Sequence, residues 1–298
     1  GSMIPENANP VVWMGVVFCI MAAFPFLLVY LGVREKKEYA EQEQPNLRES
    51  LRAARRNKPF IFAAMIYLCT WIVIILAETN LMFYIKYVIK RPEQSSLVMG
   101  AIFIAAIIAL PFWNWVSKKG NKRKAYISGV SFWAVTMCIL IFLTPETPLG
   151  LLLVVCVLCG FGLSAAQVLP WAIIPDAIEW DEYQTGVRHE GTFYSLITLF
   201  GKIANSIAVP LSLLLLEFTG YVPNAVNQPA SALTGLRIVI GPIPALLLFA
   251  GILFASFYPL SREKYAEIVT ELNLRKVNRE HQAEKKPGFT IDQQPGLD

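Results

Sequence analysis

Long apolar runs separated by short polar or charged islands set the pattern of this 298-residue chain. A helix that crosses a bilayer needs about 20 apolar residues, because the hydrocarbon core is about 30 Å thick. Seven runs reach that length, covering roughly 11–33, 59–85, 95–117, 124–144, 149–174, 190–216 and 236–258. The pattern predicts an all-α, polytopic membrane protein.

The islands carry their own signals. Within 34–58 the stretch NLRESLRAARRN places Leu47, Leu51 and Ala54 at helical spacing among arginines. It reads either as a short helix on the membrane surface or as a solvated linker. Residues 118–124, KKGNKRK, form a tight basic turn around Gly120. The tail after 259 begins as a charged helix, REKYAEIVTELNLRKVNRE, and ends in KKPGFTIDQQPGLD, whose composition predicts disorder. The first span lacks the basic n-region and small-residue cleavage site of a signal peptide. Gly1-Ser2-Met3 fits a cloning scar or a native loop equally.

Composition agrees with the pattern. The chain is 55% hydrophobic and 16% charged, where a soluble domain carries about 25% charged residues. Of its 26 lysines and arginines, 21 fall on the alternate islands 34–58, 118–124, 175–189 and the tail. Only Lys86, Lys90, Arg91 and Arg237 fall on the other side, and Lys202 lies inside a span. The positive-inside rule then puts the N-terminus outside and the tail in the cytoplasm. The net charge of +4 reflects this topology, so no nucleic-acid partner is expected.

Seven spans is an odd number for a carrier built from two six-helix bundles. One span, a long basic loop and six further spans read as the end of one bundle joined to a whole second one. On this reading 1–33 is the last helix of an N-terminal bundle, 34–58 a cytoplasmic middle loop, 59–258 a C-terminal bundle and 259–298 a cytoplasmic tail. Five more spans are expected upstream of Gly1.

The polar residues inside the spans are the candidate chemistry. Gly191, Ser195, Thr198, Lys202 and Asn205 are spaced 4, 3, 4 and 3, which aligns them on one face of the sixth span. Leu196, Ile197, Leu199, Phe200 and Ile203 take the other face. Lys202 lies twelve residues in, about 18 Å along the helix and close to the bilayer midplane. A lysine there costs about 2.5–3.5 kcal/mol or more unless it meets a partner or a wet cavity. Glu78, with Thr70 two turns before it, is a candidate partner, or else a hydrated residue at the outer interface. The fifth span aligns Gly160, Ser164, Gln167 and Trp171. Its glycine and serine also suit close helix packing. Gln167 and Trp171 suit a polar ligand, through an amide and an aromatic ring, although Trp171 also fits an interfacial belt.

The segment PDAIEWDEYQTGVRHEGT is the densest acidic cluster, with Asp176, Glu179, Asp181, Glu182 and Glu190 around Arg188. It reads as a solvated face or as ion pairs that form and break across the cytoplasmic mouth. Nothing supports an enzyme. His189 and His281 have no triad or metal-ligand spacing, and neither G-x-S-x-G nor a phosphate-cradling loop occurs. Cys156 and Cys159 lack the second pair that a zinc site needs, and all five cysteines read as small buried hydrophobes. No metal and no cofactor is expected.

LPWAIIPDAIEWDEYQTGVRHEGTFYSLITLFGKIA resembles the junction of helices ten and eleven in the glycoside–pentoside–hexuronide cation symporters of the major facilitator superfamily, which include the melibiose carrier. SKKGNKRKAY resembles the basic cytoplasmic turn repeated in each half of that superfamily. The resemblance runs from the first span to the start of the tail and is most specific over 170–202. It implies cation-coupled symport of a sugar or glycoside, driven by sodium or protons, in the inner membrane of the cell. It also implies that Lys202 couples cation to substrate, with Thr198 at the sugar site. Asp176, Glu179, Arg188 and Glu190 match the family's charged cytoplasmic gate.

One departure stands out. The aromatic residue that stacks on sugar in the melibiose carrier falls at Gln167, with Trp171 one turn on. LAETNLMFYIKYVIK, ALPFWNWVSKKG, LPWAIIPD and GYVPNAVNQP also resemble the sodium-dependent lysophosphatidylcholine symporters, a branch in which Glu78 matches an acid. That makes a lysophospholipid the second candidate substrate. The family's cation-binding aspartates belong to the N-terminal bundle, which is then the expected partner of this chain. A non-transporting half-carrier or interaction subunit is the alternative of another class.

Overall fold

The computed structural model describes residues 8–32, 47–223, 225 and 227–284. Gly1-Ser2-Met3, residues 33–46 of the charged connection and the final KKPGFTIDQQPGLD lie outside the described residues. Regular structure among the described residues is helical throughout. The chain divides into two units, Gly1–Asn46 and Leu47–Asp298.

The first unit contributes α1 (Ala8–Gly32), 25 residues with Pro25 inside and no charged residue in its end turns. The second begins with α2 (Leu47–Arg56). The helical reading of this island therefore holds, but its inward side is Ser50 and Ala54, and Leu51 is exposed. Next come α3 (Lys58–Phe83), which continues as a π-helical turn over Tyr84–Val88, and α4 (Ser95–Lys119). They are followed by α5 (Lys122–Leu140), α6 (Leu149–Thr185) and α7 (Glu190–Phe218). The last elements are α8 (Ala230–Ile240), α9 (Pro242–Ser256) and α10 (Arg262–Glu284).

Local chemistry sets several of these boundaries. Asn57 caps α3, its Oδ1 accepting from the Phe60 N–H at 3.0 Å, and its Nδ2 donates to the Ala177 carbonyl at 2.7 Å. One side chain thus starts α3 and ties it to α6. Asn121 caps α5 by accepting from the Arg123 N–H. Gly186, at φ 74°, takes the left-handed conformation that ends α6.

Six helical stretches among the described residues are long and apolar enough to cross a membrane. The seventh expected span, 124–144, is α5, which is 19 residues long. Lys122, Arg123 and Lys124 fill its first turn and Ser128, Ser131 and Thr136 follow, so it is less apolar than the rest. Packing accounts for this, because α5 lies between α6 and α9 with Tyr126 and Trp133 fully buried. The expected span 236–258 is the pair α8 and α9, broken at Gly241.

The larger difference concerns 175–185. The charged stretch expected as loop is helical, and α6 runs 37 residues despite Pro170 and Pro175. That is about 55 Å, well beyond a hydrocarbon core. Its last turns carry Asp176, Glu179, Asp181 and Glu182 past the apolar segment.

α6 is the axis of the bundle, packing on α3, α4, α5 and α10. Small residues allow the close approaches. A Cβ on Gly160 would collide with the Ile102 carbonyl of α4, and one on Gly162 with Trp133 of α5. α10 lies along the charged turns of α6. Lys264 Nζ sits 4.9 Å from the Trp180 ring centroid and the Arg275 guanidinium 4.9 Å from that of Tyr183. The basic turn 118–124, whose Lys122 reaches Asp176, marks this as the basic end of the bundle.

Candidate functional site

The polar stripe on α7 forms as the spacing predicts. Gly191, Ser195, Thr198, Lys202 and Asn205 are all exposed. The packed face buries Phe193, Leu196, Ile197, Ala204 and Ala208, with Gly201 buried at its edge beside the stripe. Leu199 and Phe200 are half-buried, whereas Ile203, expected on the packed side, is 45% exposed. Thr198 Oγ1 donates to the Tyr194 carbonyl at 2.9 Å, and Asn205 Nδ2 to that of Gly201 at 3.3 Å. These local bonds leave acceptor lone pairs on both side chains available to a ligand. Lys202 forms no ion pair among the described residues.

An aromatic group from two other helices adjoins this stripe. The Tyr67 and Trp71 rings of α3 stack with centroids 5.4 Å apart and planes at 14°. Trp171 of α6 meets Tyr67 edge-on at 5.4 Å and 80°. Tyr67 Oη stands 2.8 Å from where a Cβ on Gly201 would be, directly before Lys202 in sequence. Trp171 is 39% exposed, and Gln167, one turn earlier, is half-buried. Pro175 cannot supply the N–H that would close the helical turn on the Trp171 carbonyl, which leaves an acceptor there. The buried Trp71 Nε1 has no hydrogen-bond partner among the described residues. Tyr67 and Trp71 were not among the residues singled out from the sequence. The available signal was their one-turn spacing on the same span as Thr70.

Other expected members go elsewhere. Gly160 and Ser164 serve packing: Ser164 is fully buried and donates to the Phe161 carbonyl at 2.8 Å. Thr70 is buried, donating to the Ile66 carbonyl and sharing a 2.7 Å hydrogen bond with Tyr126 Oη of α5. It therefore faces the bundle interior and not the side that Glu78 takes. Glu78 is exposed at the edge of an apolar cavity of about 50 Å³, lined by Ile74, Leu81, Phe103, Trp133 and Met137.

Glu78 and Lys202 do not meet. Tyr67 lies against Gly201, and Asn80 Nδ2 donates to Ser212 Oγ at 2.7 Å, so α3 and α7 run side by side in one direction. That register sets Glu78 near the level of residue 210, about 12 Å along the axis from Lys202. The same register exposes a buried polar bridge, Asn80 to Ser212, that the sequence did not point to.

At the basic end the charges sort into two groups. Asp176 pairs with Lys122 of α5, Nζ to Oδ1 at 2.5 Å, with side-chain exposures of 8% and 31%. Glu179 Oε2 is buried without a partner among the described residues. Arg188 instead donates from Nε to Glu190 at 2.8 Å and from Nη1 to Glu182 at 3.1 Å. Glu190, more than any other group, holds its guanidinium above the ordinary range. Of the gate residues that the resemblance matched, Glu190 pairs with Arg188 here, while Asp176 and Glu179 do not. Beside Asp176 lie Tyr258 and Tyr265. Burial, and then Asp176, pushes the Tyr258 phenol well up, so it stays protonated.

Comparison with known proteins places this arrangement. The profile of the family described as "MFS/sugar transport protein" matches residues 2–262. An uncharacterized symporter of Synechocystis sp. is 30% identical over 87% of this chain and 50% of its own. The sodium-dependent lysophosphatidylcholine symporter 1 of Xenopus tropicalis is 29% identical, over 89% of this chain and 51% of its own. A putative 2,3-dihydroxypropane-1-sulfonate exporter of Salmonella typhimurium is 30% identical, over 92% and 60%. The chain spans about half the length of most of the curated relatives it matches. With seven-eighths of its residues matched by the family profile, and an all-helical bundle built of apolar spans, the chain belongs to the MFS/sugar transport family of membrane transporters.

Proposed function

We propose that this chain is the C-terminal half of a cation-coupled symporter that carries a sugar or glycoside by alternating access. The observation that carries this reading is Lys202 on an exposed polar stripe of α7, beside an aromatic group made by Tyr67, Trp71 and Trp171. A charge at mid-span is costly against lipid, so the stripe requires a wet, substrate-lined interface. Hydroxyls, an amide and aromatic faces together suit a polyol, whose C–H faces stack while its hydroxyls hydrogen-bond. Ser195, Thr198, Asn205, Gln167 and Trp171 contact substrate on this reading, and Lys202 links it to the coupling ion.

The remaining half of the site belongs to an N-terminal bundle, of which α1 is the last helix and 34–58 the connection. That bundle holds most of the sodium or proton site. The basic end faces the cytoplasm of the inner membrane, as the positive-inside rule directs. There Lys122–Asp176 and the Arg188 group keep the mouth closed in one state and separate in the other.

A lysophospholipid is the second reading. What favours it is Glu78, the acid that matches one in that branch, set exposed beside an apolar wall that includes Ile74, Leu81 and Met137. Uptake by the full-length carrier in vesicles, under an imposed sodium or proton gradient, separates the two. A panel of sugars, glycosides and lysophosphatidylcholines should give gradient-dependent, saturable uptake of a sugar or glycoside. Uptake confined to the lysolipids would replace the first reading with the second.

A further inference from the structure

Three cations from three separate elements converge on one cavity at the basic end, next to the Lys122–Asp176 pair but lined by neither of its residues. The cavity measures about 470 Å³. Arg56 enters it from the end of α2, Lys58 from the start of α3 and Lys264 from the first turn of α10. None of the three forms an ion pair among the described residues. The carboxylate in the wall, Asp181, is already engaged, its Oδ2 2.7 Å from His189 Nδ1 and its side chain 8% exposed.

Like charges gathered around a concave wall repel each other, and the low-dielectric wall strengthens the repulsion. The positive-inside rule asks only that basic residues lie at this end, and scattered ones would satisfy it. It does not account for a fold that brings residues 56, 58 and 264 into one cavity. Two features sharpen the convergence. Lys264 is held over the Trp180 ring at 4.9 Å, which restricts where its ammonium points. The N-terminus of the 26-residue α3 opens on the same space and adds its partial positive charge.

We infer that this cavity binds a phosphate group, gripped by the Arg56 fork and the two lysines, and that the bound anion fastens α10 to the start of α3. Guanidinium and ammonium groups are the natural holders of phosphate, the first through paired N–H bonds and the second as point charges. A volume of about 470 Å³ exceeds what a bare phosphate fills and falls among small-ligand sites of about 300–1,000 Å³. The occupant is therefore a phosphate ester. A lipid headgroup and a soluble ester offer the same chemistry, and the experiment distinguishes them.

The full-length carrier is placed in nanodiscs of phosphatidylcholine with or without phosphatidylglycerol, and retained lipid is counted by native mass spectrometry. In a parallel arm, glycerol 3-phosphate is titrated by calorimetry into the phosphatidylcholine discs. The test variant is Arg56→Gln/Lys58→Gln/Lys264→Gln. The control is Lys118→Gln/Lys119→Gln/Lys124→Gln, which removes equal charge from the same end but outside this cavity. Phosphatidylglycerol retention, or glycerol 3-phosphate affinity, should fall at least about tenfold in the test variant, or about 1.4 kcal/mol, and less than about twofold in the control. Loss in the first arm alone assigns a lipid headgroup, and loss in the second a soluble ester. Lys58→Gln alone, at an exposed helix start, should move binding the same way without disturbing the fold. Equal losses in the two triple variants, or no binding of either probe by the wild type, would overturn the proposal.

Discussion

Tyr67 Oη occupies the space that a side chain on Gly201 would need, 2.8 Å from the position of its Cβ. This contact sets how close α7 comes to α3 and holds Tyr67 between Trp71 and Trp171. Gly201→Ala should push the Tyr67 ring off its stack, because Tyr67 is itself 3% exposed and has no free side to move into. Overpacking of this kind costs about 1–3 kcal/mol. Substrate uptake by the full-length carrier should therefore drop about tenfold or more, while the protein still reaches the membrane. Uptake at the wild-type rate would detach the aromatic group from the site.

Gly160 makes a different prediction, about assembly. Its Cα faces the Ile102 carbonyl of α4 so closely that any Cβ collides with backbone, which cannot turn aside as a side chain does. Gly160→Leu should lower the melting temperature of the detergent-purified carrier and its yield. Gly150→Leu, on the same helix but with open space around it, should not. Similar melting of the two variants would mean that α4 and α6 do not pack through Gly160.

These two glycines mark the boundary of what the sequence carries. The periodicity of 191–205 predicts which face of α7 is polar, since a helix converts spacing into a face without any neighbour. It does not predict register between helices. That is why Glu78 was a candidate partner for Lys202 and is not one in the fold. The fate of Thr70 likewise depended on α5, whose Tyr126 lies 56 residues away in sequence and reaches its hydroxyl. The helical path of 175–185 was hidden by local chemistry. Pro175 and a run of charges read as loop, yet Trp180 and Tyr183 pack against α10 and keep the helix going. Tyr67 and Trp71 looked like ordinary apolar positions because their role emerges only when Trp171 arrives from another helix.

The charges at the basic end should separate by burial. Asp176 has an 8% exposed side chain, so Lys122→Ala leaves a carboxylate that water reaches poorly. Lys122→Ala/Asp176→Ala should be more stable than Lys122→Ala alone. The coupling between the two sites should be about 1–3 kcal/mol, below that of a fully buried pair because Lys122 is partly wet. Arg188 and Glu190 are both more than 40% exposed, and their coupling should stay under about 1 kcal/mol. Double-mutant cycles on thermal stability check both values. Equal couplings would remove the reason for ranking Lys122–Asp176 as the stronger contact of the mouth.

The central claim is that the exposed polar stripe of α7 meets substrate and that Lys202 couples it to the driving ion. Ion-driven accumulation of substrate by the Lys202→Ala full-length carrier, measured in vesicles against wild type, tests it most directly. The expected result is normal insertion with no accumulation above the external concentration, and no rescue when Leu199→Lys is added, because position 199 lies off the stripe. Accumulation at the wild-type level by Lys202→Ala would contradict the account.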